Sequence, residues 1–320
     1  MKKKTALITG IAGQDAAYLS AHLLSLEYSV YGTDILPDLW RLRELGIYEK
    51  VNILSADILD LSSMIRAIQN SQASEIYHLA SQSFVGSSFD HPIAAGMVTG
   101  LGALNVLEAV RFVDPKIKFY NAATSELYGD TLKDIANEST SFVPASPYSV
   151  AKLFAFHSTR LYREAYGMFA CSGILFNHES PLRGLEFVTR KITYGASRIK
   201  YGLQKDLRLG NLGAKRDWGY AKEYAEGMHL MLQQQSPNDF VMATGMSHSV
   251  IEFCDRAFSR LGLNWKDYVI SVPEENRPKD VNYLRGDPSK AFRLLNWKSK
   301  TTFEELVDMM VDADIKRIKK

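Results

Sequence analysis

Short apolar runs alternate with longer amphipathic segments over the first half of the chain. The run "TALIT" at residues 5–9 is followed by residues 15–28, where Ala, Leu and Tyr recur at helical spacing, and then by the β-rich residues 29–34. The same alternation recurs at residues 51–57, 61–71, 75–81, 94–113, 118–124, 146–166 and 170–177. Parallel strands need crossover connections of this kind, which cover both faces of a sheet with helices. The pattern therefore predicts an α/β fold with a doubly wound parallel sheet.

The second half of the chain lacks this rhythm. From Asn177 onward the pattern is irregular, and from Val272 the chain is rich in proline, charge and turn residues. We expect a first domain at residues 1–176, completed by about 218–247. A smaller, partly discontinuous domain at residues 177–320 is expected to carry substrate specificity.

Composition excludes several classes of function. The chain has 320 residues, and its 38 basic and 36 acidic residues leave a net charge of +2, so no basic field is available for nucleic acid or an anionic bilayer. Cys171 and Cys254 are too few for a disulfide framework or a thiolate metal site, so a cytoplasmic protein without a metal is expected. The N-terminal apolar run breaks at Gly10, which argues against a signal peptide, and no stretch predicts a membrane span.

A glycine-rich turn follows the first predicted strand. Gly10 and Gly13 would let backbone amides approach a pyrophosphate at the start of the first helix, and Ala16 is small enough for close packing of helix on strand. The alternative is a tight turn without a ligand. Asp34, at the end of the second strand, suits a ribose 2′-hydroxyl and would repel a 2′-phosphate, while Asp57 suits the adenine edge. Together these residues predict a bound dinucleotide, with NAD favoured over NADP.

The start of a later helix carries a tyrosine and a lysine on one face. Ser146 is the predicted N-cap, Pro147 suits the first helical position, and Tyr148 and Lys152 are four residues apart. An ammonium near a phenol is expected to lower the tyrosine pKa, so that the phenolate takes a proton from a substrate hydroxyl. A packed tyrosine beside a solvated lysine is the structural alternative.

A hydroxyl and a carboxylate follow the strand that precedes this helix. Thr124 and Ser125 could bind a substrate oxygen, whereas Glu126 would serve no purpose in a simple dehydrogenase. Removal of a proton next to a ketone, with loss of a β-hydroxyl, does need a general base and acid. A carboxylate that merely begins a loop is the alternative.

Six stretches resemble the GDP-mannose 4,6-dehydratases within the extended short-chain dehydrogenase/reductases. They are "TGIAGQDAAYL", "ATSELYG", "SPYSVAKLFA", "FNHESPLRGLEFVTRKI", "NLGAKRDWG" and "RPKDVNYLRGD", and the similarity extends from residue 5 to about 290. The resemblance implies a Rossmann domain and an internal redox cycle on a GDP-hexose. Tyr148 would deprotonate the sugar 4-hydroxyl held by Thr124, Glu126 would remove the C5 proton and help water leave C6, and the stored hydride would return to C6.

The resemblance also implies the remaining site residues. Cofactor contacts are expected at Gly10, Gly13, Gln14, Asp15, Asp57, Ile58, Leu79, Ala80, Ser81, Tyr148, Lys152, His178 and Arg183, in addition to Asp34, which its position at the end of the second strand predicts. Substrate contacts are expected at Ser83, Ser125, Asn177, Lys191, Arg216 and Arg277, where the cations would bind the pyrophosphate. Spacing cannot position the side chains around residues 83–89 and 184–187, on which pocket size depends.

Two departures from the family pattern bear on the cofactor and assembly. Asp34 and a short segment replace the arginine-rich loop that binds the NADP 2′-phosphate and supports tetramers, and Arg41 and Arg43 are expected on a helix instead. Leu182 stands where a second arginine is common. NAD or NADP, and a homodimer or a tetramer, therefore stay open.

Other activities of the same scaffold remain possible for the sequence alone. A GDP-manno-heptose or GDP-N-acetylglucosamine 4,6-dehydratase, or a GDP-sugar 4-dehydrogenase, reductase or epimerase, would share most of these motifs. A dinucleotide sensor without catalysis would need neither Glu126 nor Tyr148. The carboxylate at Glu126 favours elimination.

Overall fold

A seven-stranded parallel sheet forms the centre of the computed structural model, which describes residues 3–35, 38–131, 134–273 and 278–319. The strands run in the order β11-β6-β5-β4-β1-β2-β3, and every neighbouring pair is parallel. Their bounds are β1 Thr5–Thr9, β2 Ser29–Asp34, β3 Val51–Ser55, β4 Glu75–His78, β5 Lys118–Thr124, β6 Ala170–Leu175 and β11 Phe240–Met242. The predicted doubly wound parallel sheet is confirmed.

Helices cover both faces of this sheet. Their bounds are α1 Gln14–Ser25, α2 Trp40–Glu44, α3 Leu61–Ser71, α4 Val85–Asp90, α5 Pro92–Ala95, α6 Gly102–Val113, α7 Pro147–Tyr166, α8 Val188–Lys200, α9 Ala221–Leu232, α10 Val250–Ser259, α11 Ser289–Leu295 and α12 Phe303–Ile318. A π-helical turn, Gly96–Leu101, joins α5 to α6.

Alternate side chains of β1 explain why the sheet is buried on both faces. Ala6 and Ile8 pack into an apolar cluster with α1 and α9, whereas Leu7 packs into a second cluster with α3 and α6. All three side chains are fully buried, which is why the strand reads as a continuous apolar run.

The strand order reverses beside β1. The chain moves from β1 outward to β2 and β3, and then returns to the other side of β1 at β4. Ligands of doubly wound sheets bind in the crevice outside the carboxyl ends of the strands at such a reversal. This point of the sheet is therefore where the glycine turn after β1 and the end of β4 meet.

Smaller paired strands and a third apolar cluster lie in the C-terminal part. The additional strands are β7 Asn177–Glu179, β8 Leu207–Leu209, β9 Lys215–Arg216, β10 Trp218–Tyr220, β12 His248–Ser249 and β13 Val269–Ser271. They pair as β10 with β7, β12 with β9 and β13 with β8. Helices α8, α10 and α12 enclose the third cluster, and β11 returns to the edge of the main sheet. The division into domains at residue 176 stays a prediction.

One helical segment of the described residues, Pro92–Val113, is long and apolar enough to cross a membrane by length and composition, with a mean hydropathy of 1.6. Half of the tested window is buried inside the protein, and core helices of globular proteins meet the same criterion. Alanine, glycine, leucine and valine make up most of the segment, which also contains Asn105, Glu108 and Arg111. The expectation of no membrane span stays a prediction.

Candidate active site

A cavity of about 470 Å³ opens at the carboxyl ends of β1, β4 and β5. Its lining includes every predicted cofactor residue: Gly10, Gly13, Gln14, Asp15, Asp34, Asp57, Ile58, Leu79, Ala80, Ser81, Tyr148, Lys152, His178 and Arg183. Thr124, Ser125 and Glu126 line the same cavity. The fold thus brings together residues that are up to 173 positions apart between Gly10 and Arg183.

The glycine turn owes its shape to backbone sterics. Gly10 has a φ of +75°, and a Cβ at this position would lie 2.8 Å from Cα of Ala80. A larger residue would therefore strain the turn and push the end of β4 away. Gly13 is the N-cap of α1 and supplies no side-chain acceptor, so the first amides of α1 remain suited to an anionic ligand.

Both strand-end aspartates are held by their own loops. The Asp34 carboxylate accepts hydrogen bonds from the amides of Ile35 (2.9 Å) and Ala12 (3.3 Å), which aligns the end of β2 with the glycine turn. The Asp57 carboxylate accepts from the Leu59 amide at 2.8 Å. Both residues are therefore loop caps, and both also line the cavity.

A partly buried ion pair joins the start of α1 to β7. Asp15 Oδ2 lies 2.8 Å from His178 Nε2, and His178 Nδ1 lies 2.7 Å from the Phe176 carbonyl oxygen. The Gln14 side chain donates to Asp15 Oδ1 and to the His178 carbonyl, and accepts from Ser180 Oγ at 2.6 Å. These contacts fix α1 against β7 beside the cavity.

The predicted start of the tyrosine-bearing helix is confirmed. The Ser146 hydroxyl accepts from the Ser149 amide at 3.1 Å, the Ser149 hydroxyl accepts from the Ser146 amide, and Pro147 is the first residue of α7. On the facing strand end, Thr124 Oγ1 accepts from the Glu126 amide at 3.3 Å and begins a short 3₁₀ turn. These two caps fix the start of α7 and the start of the 3₁₀ turn beside the cavity.

The structure differs from the expected lowering of the tyrosine pKa. Burial raises the pKa of Tyr148, and the Glu126 carboxylate raises it further, while a hydrogen bond with Thr124 opposes the shift. Lys152 Nζ donates instead to the Ala122 carbonyl at 2.8 Å and lies 5.8 Å from the centre of the tyrosine ring. Burial lowers the pKa of Lys152 to about 8, against the opposing effect of Asp15.

The predicted substrate residues divide into two groups. Ser83, Ser125 and Asn177 line the cavity, and the buried Asn177 Oδ1 has no hydrogen-bond partner among the described residues. Lys191 on α8 and Arg216 on β9 do not belong to the cavity lining, and Arg216 lies 3.3 Å from the Asp280 carboxylate.

The last predicted substrate residue, Arg277, lies outside the described residues. Individual roles in binding and catalysis stay predictions for every residue of the set.

Sequence reasoning did not assign the aromatic side chain of Phe187, which lines the cavity immediately before α8. The Arg183 guanidinium lies 3.5 Å from the centre of this ring, and the Phe84 ring meets it edge to face at 5.8 Å. No periodicity marks either aromatic residue, because each sits in an irregular connection.

A family model described as GDP-mannose 4,6 dehydratase matches residues 7–310. GDP-mannose 4,6 dehydratase 2 of Arabidopsis thaliana is 48% identical, over 99% of this chain and 88% of that protein. GDP-mannose 4,6-dehydratase of Vibrio cholerae serotype O1 is 42% identical, over 99% and 95% of the two chains.

Solved structures match at comparable coverage. UDP-glucose 4-epimerase of Thermus thermophilus, in complex with NAD, gives a TM-score of 0.86 at 25% identity, over 97% of this chain and 98% of that one. dTDP-glucose 4,6-dehydratase of Bacillus anthracis gives 0.87 at 20% identity, over 99% and 98%, and so supports the fold alone. With the cavity and the near full-length similarity in place, the chain belongs to the GDP-mannose 4,6-dehydratase family.

Proposed function

We propose that this protein converts GDP-mannose to GDP-4-keto-6-deoxymannose, releasing one water. The observation that carries the proposal is the shared cavity, in which the Tyr148 and Lys152 pair and the Glu126 carboxylate lie beside the glycine turn. A redox enzyme without elimination has no use for Glu126 at this position. Family membership over residues 7–310 supports the same activity.

A nicotinamide dinucleotide fits the residues of the cavity. Gly10 leaves no room for a side chain, the start of α1 at Gly13 has amides suited to a phosphate, and Asp34 stands at the end of β2. When bound, this group supplies the acceptor for the hydride from sugar C4 and its donor to C6. Because the hydride returns, the protein is expected to keep the cofactor between turnovers.

We assign the proton transfers to side chains at the carboxyl end of β5 and at the start of α7. The Tyr148 phenolate would take the proton of the sugar 4-hydroxyl while Thr124 holds that oxygen. The raised pKa of Tyr148, which burial and Glu126 cause, means that this proton acceptor must be assisted by positive charge. Lys152, four residues along the same buried helix face, is the cation placed to provide it.

Glu126 would carry out the elimination. A ketone at C4 makes the C5 proton acidic, so a carboxylate can remove it and then, as the carboxylic acid, give a proton to the 6-hydroxyl, which leaves as water. C5 regains a proton when the hydride returns to C6. Glu126 is only 7% exposed, so bulk water competes little with the sugar for this carboxylate. Glu126 and Tyr148 line the same cavity, so both can face one bound sugar.

NAD is the cofactor that we propose in preference to NADP. The Asp34 carboxylate is fixed by two backbone amides at the end of β2, where it would bind a ribose diol and repel a 2′-phosphate. The Arg41 guanidinium donates through Nε and Nη1 to the Leu182 and Ala12 carbonyls, so these nitrogens are engaged by the backbone.

We further propose a homodimer formed through the outer faces of α5–α6 and α7. A groove between these helices is lined by apolar residues, and Ile93, Met97, Leu101 and Val150 are each between 45% and 76% exposed. Exposed apolar surface of this kind is typical of an interface. Light scattering would distinguish a dimer from the tetramer that other members of the family suggest.

Incubation of the purified protein with GDP-mannose, carrying deuterium at C4, tests the function. Product lighter by one water, with deuterium at the C6 methyl and no net release of reduced nicotinamide, is the expected result. Net release of reduced cofactor would instead identify a dehydrogenase, and an unchanged mass would refute the proposal. GDP-manno-heptose and GDP-N-acetylglucosamine, in parallel, measure the choice of sugar.

Tyr148→Phe is the matched variant for this experiment. It should abolish turnover, whereas Tyr166→Phe, at an exposed position of the same helix, should leave turnover unchanged.

A further inference from the structure

Three consecutive backbone carbonyls beside the cavity are bound by two arginines that the predicted chemistry does not use. The carbonyls belong to the segment 181–183 between β7 and α8. Arg190 Nη1 donates to the Pro181 and Arg183 carbonyls, each at 2.9 Å, and Arg41 Nε donates to the Leu182 carbonyl at 2.7 Å. A loop held at every carbonyl has little freedom to move.

Arg41 also contacts the glycine turn, which lines the cavity at Gly10 and Gly13. Its Nη1 donates to the Ala12 carbonyl at 2.8 Å, within the glycine turn. The guanidinium therefore joins the turn that would hold the pyrophosphate to the segment that carries Arg183. Its ring neighbour Trp40 lies under the guanidinium at 4.6 Å and restricts its orientation.

Arg190 is fixed from behind by the C-terminal helix. Its guanidinium forms a buried ion pair with Asp314 on α12, with nitrogen-to-oxygen distances of 2.6 to 2.9 Å. Arg190 is 4% exposed and Asp314 is fully buried, and Thr193 donates a further hydrogen bond to that carboxylate. Arg190 therefore ties the segment to α12, and Arg41 supplies its contact with the glycine turn.

The segment has one charged side chain that faces the cavity. Arg183 lines the cavity, lies 3.1 Å from the Glu179 carboxylate and stacks on Phe187. A shift of the 181–183 backbone would move this guanidinium relative to the glycine turn. The hydrogen bonds of Arg41 to one carbonyl of the glycine turn and one carbonyl of the segment oppose such a shift.

We propose that Arg41 is a positioning residue that fixes the glycine turn and the 181–183 segment relative to each other, and so sets the affinity for the dinucleotide. The geometry is the two-sided hydrogen bonding of one guanidinium to the Ala12 and Leu182 carbonyls. The affinity readout rests on the proposed function, because that function supplies the identity of the ligand. Arg41 acts through the backbone and is not placed among the groups that touch the sugar.

Arg41→Met is the direct test, with Arg43→Met as the matched control. Arg43 lies on the same short helix α2, is exposed and stacks on Tyr48. Loss of two charge-assisted hydrogen bonds is expected to weaken NAD binding by about tenfold. The turnover number at saturating NAD should stay within about twofold of the wild type, so the change falls on the dissociation constant of NAD rather than on kcat.

Arg41→Lys separates positioning from charge. A lysine ammonium keeps the charge but replaces the planar fork of donors by one nitrogen, so it should restore affinity only in part. If Arg41→Met fails to fold, Arg41→Lys carries the comparison alone, with weaker NAD binding still expected. Wild-type affinity in a folded Arg41 variant would overturn the proposal, as would an equal loss in Arg43→Met.

Amide hydrogen exchange of the protein without nucleotide provides a readout that does not depend on the proposed function. Exchange at residues 181–187 should be faster in Arg41→Met than in the wild type or in Arg43→Met. If the wild-type protein binds no nicotinamide dinucleotide, the proposed function fails, while the exchange rates still decide the role of Arg41. Unchanged exchange, with NAD bound normally by the wild type, refutes only the positioning role.

Discussion

Replacement of His178 by glutamine should make the protein less stable in a way that depends on pH. Both ring nitrogens of His178 face oxygen acceptors, the Asp15 carboxylate at 2.8 Å and the Phe176 carbonyl at 2.7 Å. Only the protonated imidazole donates to both. Burial alone would lower the pKa of His178, but the charge and hydrogen bond of Asp15, together with that carbonyl, outweigh it and raise the pKa.

The magnitude follows from the partner carboxylate. Burial by itself would raise the pKa of Asp15, but His178 and the hydrogen bond from Gln14 lower it from 3.8 to about 2. This shift corresponds to about 2 kcal/mol of stabilisation. The side chains of Asp15 and His178 are 22% and 12% exposed, so solvent screens the pair only in part.

The sign of each shift sets the pH window. A carboxyl with a lowered pKa stabilises the fold above its unfolded value of 3.8, and this contribution is lost as the pH falls toward 2. A histidine with a raised pKa stabilises the fold fully below its unfolded value of 6.5, and this contribution is lost as the pH rises through the raised pKa. The ion pair should therefore contribute most between pH 3.8 and 6.5.

Urea unfolding of His178→Gln and wild type, without nucleotide, measures this contribution across a pH series. The variant should lose about 2 kcal/mol near the middle of the window and clearly less at alkaline pH. His157→Gln, at an exposed position of α7, is the control and should show no such dependence. A deficit that is constant with pH, or larger at alkaline pH, would refute the assignment of a charged pair.

Three further substitutions test the proposed chemistry and assembly. Glu126→Gln should slow the loss of water by about 10²- to 10⁴-fold, while the bound nicotinamide still becomes reduced. Mass spectrometry follows the loss of water, and near-ultraviolet absorbance follows the reduction of the nicotinamide. Glu186→Gln, at an exposed position, should change neither step. Asp34→Ser should raise the affinity for NADP relative to NAD, and an unchanged ratio of dissociation constants would contradict the role of Asp34. Val150→Glu should turn a homodimer into a monomer by light scattering, because it places a charge on the exposed apolar face of α7; a dimer that persists would locate the interface elsewhere.

Hydrophobic periodicity was sufficient to predict the central sheet and its crossover helices. Strands such as β1 are buried on both faces, and helices such as α3 present one apolar face, so their period is visible without tertiary information. Local chemistry likewise predicted the Ser146 cap and the helix that carries Arg41 and Arg43. These features depend on residues that are near each other in sequence.

Properties that depend on residues far apart in the sequence could not be predicted in the same way. The raised pKa of Tyr148 depends first on burial, and burial is a property of the assembled fold. Lys191 and Arg216 lie outside the cavity lining, at positions of α8 and β9 that follow from the irregular C-terminal packing, and their contacts with the substrate stay predictions. Aromatic residues such as Phe187 line the cavity from an irregular connection, where no hydrophobic periodicity could predict them.

Leu182 stands where a second arginine is common in the family, and the folded structure gives a physical reason for this departure. Its side chain is 2% exposed and packs into the main apolar cluster, which accounts for the absence of a second guanidinium on that segment. Its carbonyl points the other way and receives Arg41 from the connection after β2. Arg41 is thus hydrogen-bonded to the protein's own backbone. The proposed preference for NAD rests on Asp34, whereas the proposed fixing of the 181–183 segment rests on Arg41, so Arg41→Met is expected to weaken NAD binding without changing the choice between NAD and NADP.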